Sequence, residues 1–122
     1  MGYILVFDGG KNKQGTYFSF LIFKGDKLIG RGNRISEQVK TSNEAEYLAL
    51  IRALESLQSN YSGEEVLILG DSRLVINQLN GLWQVSSESL KPFYQRASDL
   101  IGQIDCKLIW WPGDQSKQFL GH

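Results

Sequence analysis

What the sequence has little of narrows it first. Cys106 is the single cysteine among 122 residues, so no internal disulfide can form, which fits a reducing and therefore cytoplasmic compartment. No apolar run approaches the ~20 residues of a membrane span, so no membrane partner is expected. The opening MGYILVFDGG lacks the basic segment of a secretory signal and reads as a strand. Its Met-Gly carries little weight as a myristoylation signal, because bulky, strand-forming residues follow. Net charge is absent too, since 13 basic residues balance 13 acidic ones. That argues against a strongly basic coat protein gripping nucleic acid non-specifically. An enzyme that meets phosphates through divalent ions stays open, because bound ions can dominate the charge of a site. Repeats, linkers and low-complexity segments are missing as well. What is present, 42% hydrophobic and 21% charged residues, suits one globular domain over residues 1–122 with a sizeable core.

Periodicity and breakers order the elements. Residues 3–8, YILVFD, form a β-rich run that the following GGK is expected to break. Residues 16–23, TYFSFLIF, and 27–35, KLIGRGNRI, are joined by KGDK, whose Gly-Asp suits a tight hairpin turn. Thr41 with Glu44 three residues on spells a capping box, opening a helix that runs to about Ser59. VLILG, residues 66–70, is a continuous apolar run of the kind buried on both faces of a sheet. A short helix at about 72–80 and a loop, GLWQVSSES, come next. A helix at about 88–103, with Pro92 near its start, and a last strand, CKLIWW, complete the chain before Pro112. The order βββαβααβ implies an α/β domain with a mixed sheet and helices packed on it.

Functional chemistry is concentrated in acids that break the pattern. In GDSRLVINQLNG, residues 70–81, an apolar strand runs straight into Asp71, a costly place for a carboxylate unless an amide, an arginine or a metal ion compensates it. Asp8 shares a strand face with Ile4 and Val6 by the two-residue period. On a helical wheel, Arg52, Glu55, Ser56 and Ser59 form one polar face with Glu44 at its edge, whereas Glu46 stacks with Ala49, Leu50, Ala53 and Leu57. Glu44 is therefore expected on the solvent side and Glu46 toward the core or a cleft. If the first strand and VLIL are neighbours with this helix across them, Asp8, Glu46 and Asp71 meet. Three such acids repel unless compensated, and hard divalent cations with oxygen ligands, magnesium above all, solve that problem. Separate caps and salt bridges are the plain alternative for each acid taken alone.

FDGG, TSNEAEYLALIRAL and GDSRLVINQLNG, in this order and spacing, resemble the type 1 ribonuclease H family. LKPFYQRASDLIGQIDCKLIWWPGDQSK is also similar to that family, in its compact form without a basic protrusion. The resemblance implies a ribonuclease H-like fold, with three antiparallel strands and then two parallel ones in a five-stranded sheet. It implies that Asp8, Glu46 and Asp71 are catalytic metal ligands for two magnesium ions, with manganese as a substitute. The implied reaction hydrolyses the RNA strand of an RNA–DNA hybrid, leaving 5′-phosphate and 3′-hydroxyl ends. It places Asn43 at the minor groove, Gly10 where a backbone group approaches RNA, Thr41 and Arg73 near a DNA phosphate, and Trp83 along the DNA channel. Plainer readings stand beside these: Thr41 as an N-cap, Asn43 as a helix-start residue, Trp83 as cover for a sheet edge, and Arg73 as a partner of Asp71.

One part of the family pattern fails. The family's fourth carboxylate, an aspartate in a final helix, falls on Leu120, and the sequence stops at His122. Asp114 is the nearest acid and the candidate fourth ligand; the family's mobile histidine has no equivalent, and His122 reads as a chain-end residue. The expected consequences are weakened activity, a preference for manganese, a ligand supplied by Asp114 or a second chain, or hybrid or double-stranded RNA binding without cleavage. Sheet surface left uncovered without a final helix would also suit a homodimer contact.

Overall fold

The computed structural model describes residues 2–36 and 39–112. It contains β1 (Tyr3–Asn12), β2 (Gly15–Lys24), β3 (Lys27–Ser36), α1 (Ser42–Gln58), β4 (Val66–Gly70), α2 (Arg73–Leu79), α3 (Lys91–Ile101) and β5 (Cys106–Trp110). These strands form one sheet in the order β3-β2-β1-β4-β5. β1, β2 and β3 pair antiparallel, whereas β1–β4 and β4–β5 are parallel. The order follows from connection length. Two-residue turns fold β1, β2 and β3 back on one another, while parallel neighbours need the longer crossovers that carry α1 and, between β4 and β5, α2 and α3. In the second turn Gly25 takes φ +61°, the positive value a type II′ hairpin assigns to its first central residue.

GGK does not break the first strand. β1 runs on through Gly9, Gly10 and Lys11 to Asn12, because β2 supplies a partner at every one of these positions. Glycine's local preference for turns is weak against a continuous antiparallel ladder. α3 also begins later than its pattern suggests, at Lys91: Leu90 occupies the cap position without a side-chain hydrogen bond, and Pro92 follows in the first turn.

Alternate β1 residues Tyr3, Leu5 and Phe7, with Val66 and Ile68 of β4, form the floor of the core. Onto this floor α1 lays Ala49, Leu50, Ala53 and Leu57, all fully buried, as the wheel requires. The small alanines let the helix backbone sit close to the sheet. Glu44 departs from its expected solvent position. It is buried, and its Oε1 accepts from the Lys40 amide at 3.0 Å while its own amide donates to Thr41 Oγ1 at 3.1 Å. The box thus closes one residue earlier than the usual reciprocal pair. Among the described residues, no helix is long and apolar enough to cross a membrane.

Candidate active site at the carboxyl ends of the parallel strands

The last β1–β4 pair is Phe7 with Gly70, so Asp8 and Asp71 are the next residues on neighbouring parallel strands. Adjacent strands lie about 4.8 Å apart, and the crevice beyond the carboxyl ends of parallel strands is where α/β sheets place their ligands. β1 continues past this point, paired with β2 alone. Asp8 is only 3% exposed, Asp71 is half-buried, and the Asp71 peptide is pinned from β5: its carbonyl accepts from Trp110 Nε1 at 3.0 Å. Next to it, the Gly70 carbonyl accepts from the Trp111 amide at 2.7 Å.

Glu46 reaches this edge from α1 because Gly9 allows the helix to sit against β1. A Cβ at Gly9 would lie 2.5 Å from the backbone of Ala45 and from the Glu46 nitrogen, a distance no side chain tolerates. Burial first, and then the charges of Asp71 and Asp8, push the Glu46 carboxyl up to about 7, against a hydrogen bond from Ser72 that favours its charged form. Ser72 does two jobs, since its Oγ also accepts from the Val75 amide at 3.2 Å and caps α2. One hydroxyl therefore ties the start of α2 to Glu46.

Tyr17 joins the three acids. It pairs with Gly10 across β1–β2, and a Cβ at Gly10 would lie 2.7 Å from its phenolic oxygen. Burial and then Asp8, Asp71 and Glu46, in that order, raise its pKa, so its hydroxyl feels all three carboxylates. Gly10 itself is buried. At this position the side chain offered to a ligand is the half-buried phenol of Tyr17.

The remaining candidates lie on two flanks. Thr41 is the N-cap of α1, and Asn43 is exposed in its first turn, three residues before Glu46 and hence on the same side of the helix. Arg73 opens α2, exposed, with its guanidinium over the Trp110 ring at 4.3 Å. Trp83, 49% exposed, sits in the loop after α2, where its amide donates to the Asn77 carbonyl. That loop is held by Gln78, which accepts from Tyr47 of α1 and donates to the Gln84 carbonyl at 3.2 Å. Asp114, Leu120 and His122 lie outside the described residues. Among the described residues no three His, Cys, Asp or Glu side chains form a ready-made metal cage. Magnesium seldom uses one, since it keeps several waters and substrate oxygens in its shell.

Sequence reasoning missed Gly9, Tyr17, Ser72 and Trp110. Ser72 had a local signal, a serine directly before a helical run. Tyr17 could have been found by counting back along the hairpin from the β1–β2 turn. Gly9 and Trp110 act through partners distant in sequence and carried no local sign.

A mixed sheet in this order, with two acids just beyond the last β1–β4 pair and a third on the crossing helix, defines a ribonuclease H-like α/β domain. A family model described as reverse transcriptase-like matches residues 7–118, and the chain belongs to that family. Among curated proteins it is 33% identical over 106 residues to a ribonuclease HI of Halobacterium salinarum, covering 86% of this chain and 44% of that protein. The chain spans about half the length, or less, of the curated relatives it matches. Among solved structures, the N-terminal ribonuclease H domain of Rv2228c from Mycobacterium tuberculosis superposes with a TM-score of 0.88 at 23% identity, over 98% of this chain and 91% of that one, a likeness of fold. LC11-RNase H1, solved in complex with an RNA/DNA hybrid, gives 0.84 at 26% identity over 95% and 89%.

Proposed function

We propose that this protein hydrolyses the RNA strand of RNA–DNA hybrids, leaving 5′-phosphate and 3′-hydroxyl ends. The observation that carries this is the convergence of Asp8, Glu46 and Asp71 at one sheet edge, close enough for like charge to help raise Glu46 to about 7. The relatives named above, one of them solved with a hybrid, support the substrate class.

The donor set fits a hard divalent ion: all its ligands are carboxylate oxygens, and their mutual repulsion is the charge excess such an ion neutralises. Asp8, Glu46 and Asp71 would hold magnesium, or manganese in its place, with Asp114 as the candidate fourth ligand. When bound there, such ions lower the pKa of a water and neutralise charge on a phosphate and a leaving oxygen. The protein's own groups do the rest. Ser72 favours the ionised form of Glu46 and aims it. Asp8, buried on the central strand β1, offers an acceptor with little freedom to lose. Asn43, Thr41 and Trp83 flank the acids as contacts for a duplex read largely by shape and 2′-hydroxyls. A neutral chain making such contacts should bind modestly and lose affinity with salt.

A second reading keeps the fold and the duplex contacts of Asn43, Thr41 and Trp83 as a hybrid-binding module without cleavage. A labelled hybrid incubated with magnesium and then manganese separates the two. Cleavage that disappears in Asp8→Asn supports hydrolysis. Binding without cleavage by folded protein, unaffected by Asp8→Asn, supports the module.

A further inference from the structure

We propose that Trp110 is a positioning residue which builds, beside Asp71, an arginine clamp for one phosphodiester of the bound duplex. Two contacts meet at its indole. Its N–H donates to the Asp71 carbonyl at 3.0 Å, and its ring carries the Arg73 guanidinium 4.3 Å from the centroid. Asp71 and Arg73 are two residues apart, on either side of the Ser72 cap, so one β5 side chain braces the whole strand-to-helix turn.

A guanidinium gripped through an aromatic face keeps its N–H donors for another ligand, and those donors match the forked geometry of a phosphate. An arginine on a solvated surface would give up rotamer freedom on binding. Here the ring has already restricted it, so less is lost when a phosphate arrives. Trp110 is 38% exposed and Arg73 is exposed, so the pair faces solvent at the rim of the acids. A phosphate held there would sit beside the carboxylate edge and help set the register of the duplex. This inference rests on the nuclease reading for its substrate and adds how the turn after β4 is held.

The test compares Arg73→Ala, Arg73→Lys, Trp110→Leu and Trp110→Phe in hybrid cleavage across a range of salt, with thermal unfolding as a check on folding. Arg73→Ala and Trp110→Leu should each raise KM roughly three- to tenfold and lower the slope of log KM against log salt by about one. Arg73→Lys should keep the slope but recover only part of the KM, since an ammonium has no planar fork. Trp110→Phe keeps a ring and loses the N–H, so KM and slope should stay while kcat falls a few-fold. Trp110→Leu combined with Arg73→Ala should raise KM no further than Arg73→Ala alone. An unchanged salt slope in Arg73→Ala would overturn the clamp. A slope lost in Arg73→Ala but kept in Trp110→Leu would show that Arg73 works without Trp110. If the wild-type protein cleaves no hybrid, the nuclease reading fails separately. The same slopes measured by fluorescence anisotropy of a labelled hybrid then decide the clamp.

Discussion

The two ends of the β1–β4 pair are built from similar parts and behave in opposite ways. At the amino-terminal end, Glu64 meets Lys24 Nζ at 3.1 Å and accepts from Ser62 Oγ at 3.0 Å, and Lys24 is raised chiefly by its hydrogen bond to Glu64. Tyr3 closes that end by donating to the Asn60 carbonyl at 2.8 Å. Opposite charges and donors answer one another there, and the result is a fastening. At the carboxyl-terminal end, acids face acids: Asp8, Glu46 and Asp71 share one edge, and Glu46 rises to about 7. Such an arrangement leaves like charges facing one another in the protein alone, and a bound cation would relieve that repulsion. Both ends carry shifted groups, but opposite charges answer one another at the first and like charges crowd at the second, the pattern that singles out a functional-site candidate.

Changes at the two ends should therefore differ greatly in size. Asp8→Asn should reduce hybrid cleavage by more than the roughly 100-fold that loss of an outer-shell partner of a metal site costs, with little loss of stability. Initial rates on a labelled hybrid check this. Gly9→Ala strikes the helix–strand contact that delivers Glu46. With its Cβ 2.5 Å from the α1 backbone, it should cost about 1–3 kcal/mol or more in denaturant-midpoint measurements and displace Glu46, lowering activity too.

Glu46 gives a pH signature in metal-free protein. Its folded pKa of about 7 lies above the ordinary glutamate value of 4.5 expected in the unfolded chain, so between those values the folded state holds more protons than the unfolded state. Stability must then fall as pH rises through this window, by on the order of 3 kcal/mol for this group. Glu46→Gln should flatten that fall. The groups acting on it are Asp8 from β1, and Asp71 and Ser72 from the turn between β4 and α2, with Tyr17 of β2 facing the same acids. Tyr17→Phe should change cleavage by only a few-fold, seen in KM against kcat, since one hydroxyl contributes about 1 kcal/mol. At the opposite end, Glu64→Gln should barely move the denaturant midpoint and leave cleavage intact, because Lys24 and Glu64 are over a third exposed and solvent screens the pair.

Much of this contrast was legible before the structure. Asp8 and Asp71 stand out because each ends an apolar run, and the wheel separates Glu46 from the solvent face. The side-by-side placement of β1 and VLIL follows from mixed-sheet topology. What was hidden depends on distant partners. Gly9 and Gly10 read as a breaker because composition is local, whereas β2 pairing and α1 packing are not. Glu44 was assigned to solvent by the wheel, which ignores the preceding segment whose Lys40 amide it accepts. Arg73 was readable as a phosphate contact or as a partner of Asp71, whereas its place over Trp110, 37 positions away, is set by the parallel pairing of β4 and β5 and had no local sign.

The most direct measurement is the unfolding temperature of wild-type and Asp8→Asn protein at pH 8 during titration with manganese chloride. Binding to the folded state alone raises stability with ligand concentration. A saturable rise in the wild type that is absent or strongly weakened in Asp8→Asn is the predicted result. An equal rise in both, or none in either, would contradict a metal site made of Asp8, Glu46 and Asp71.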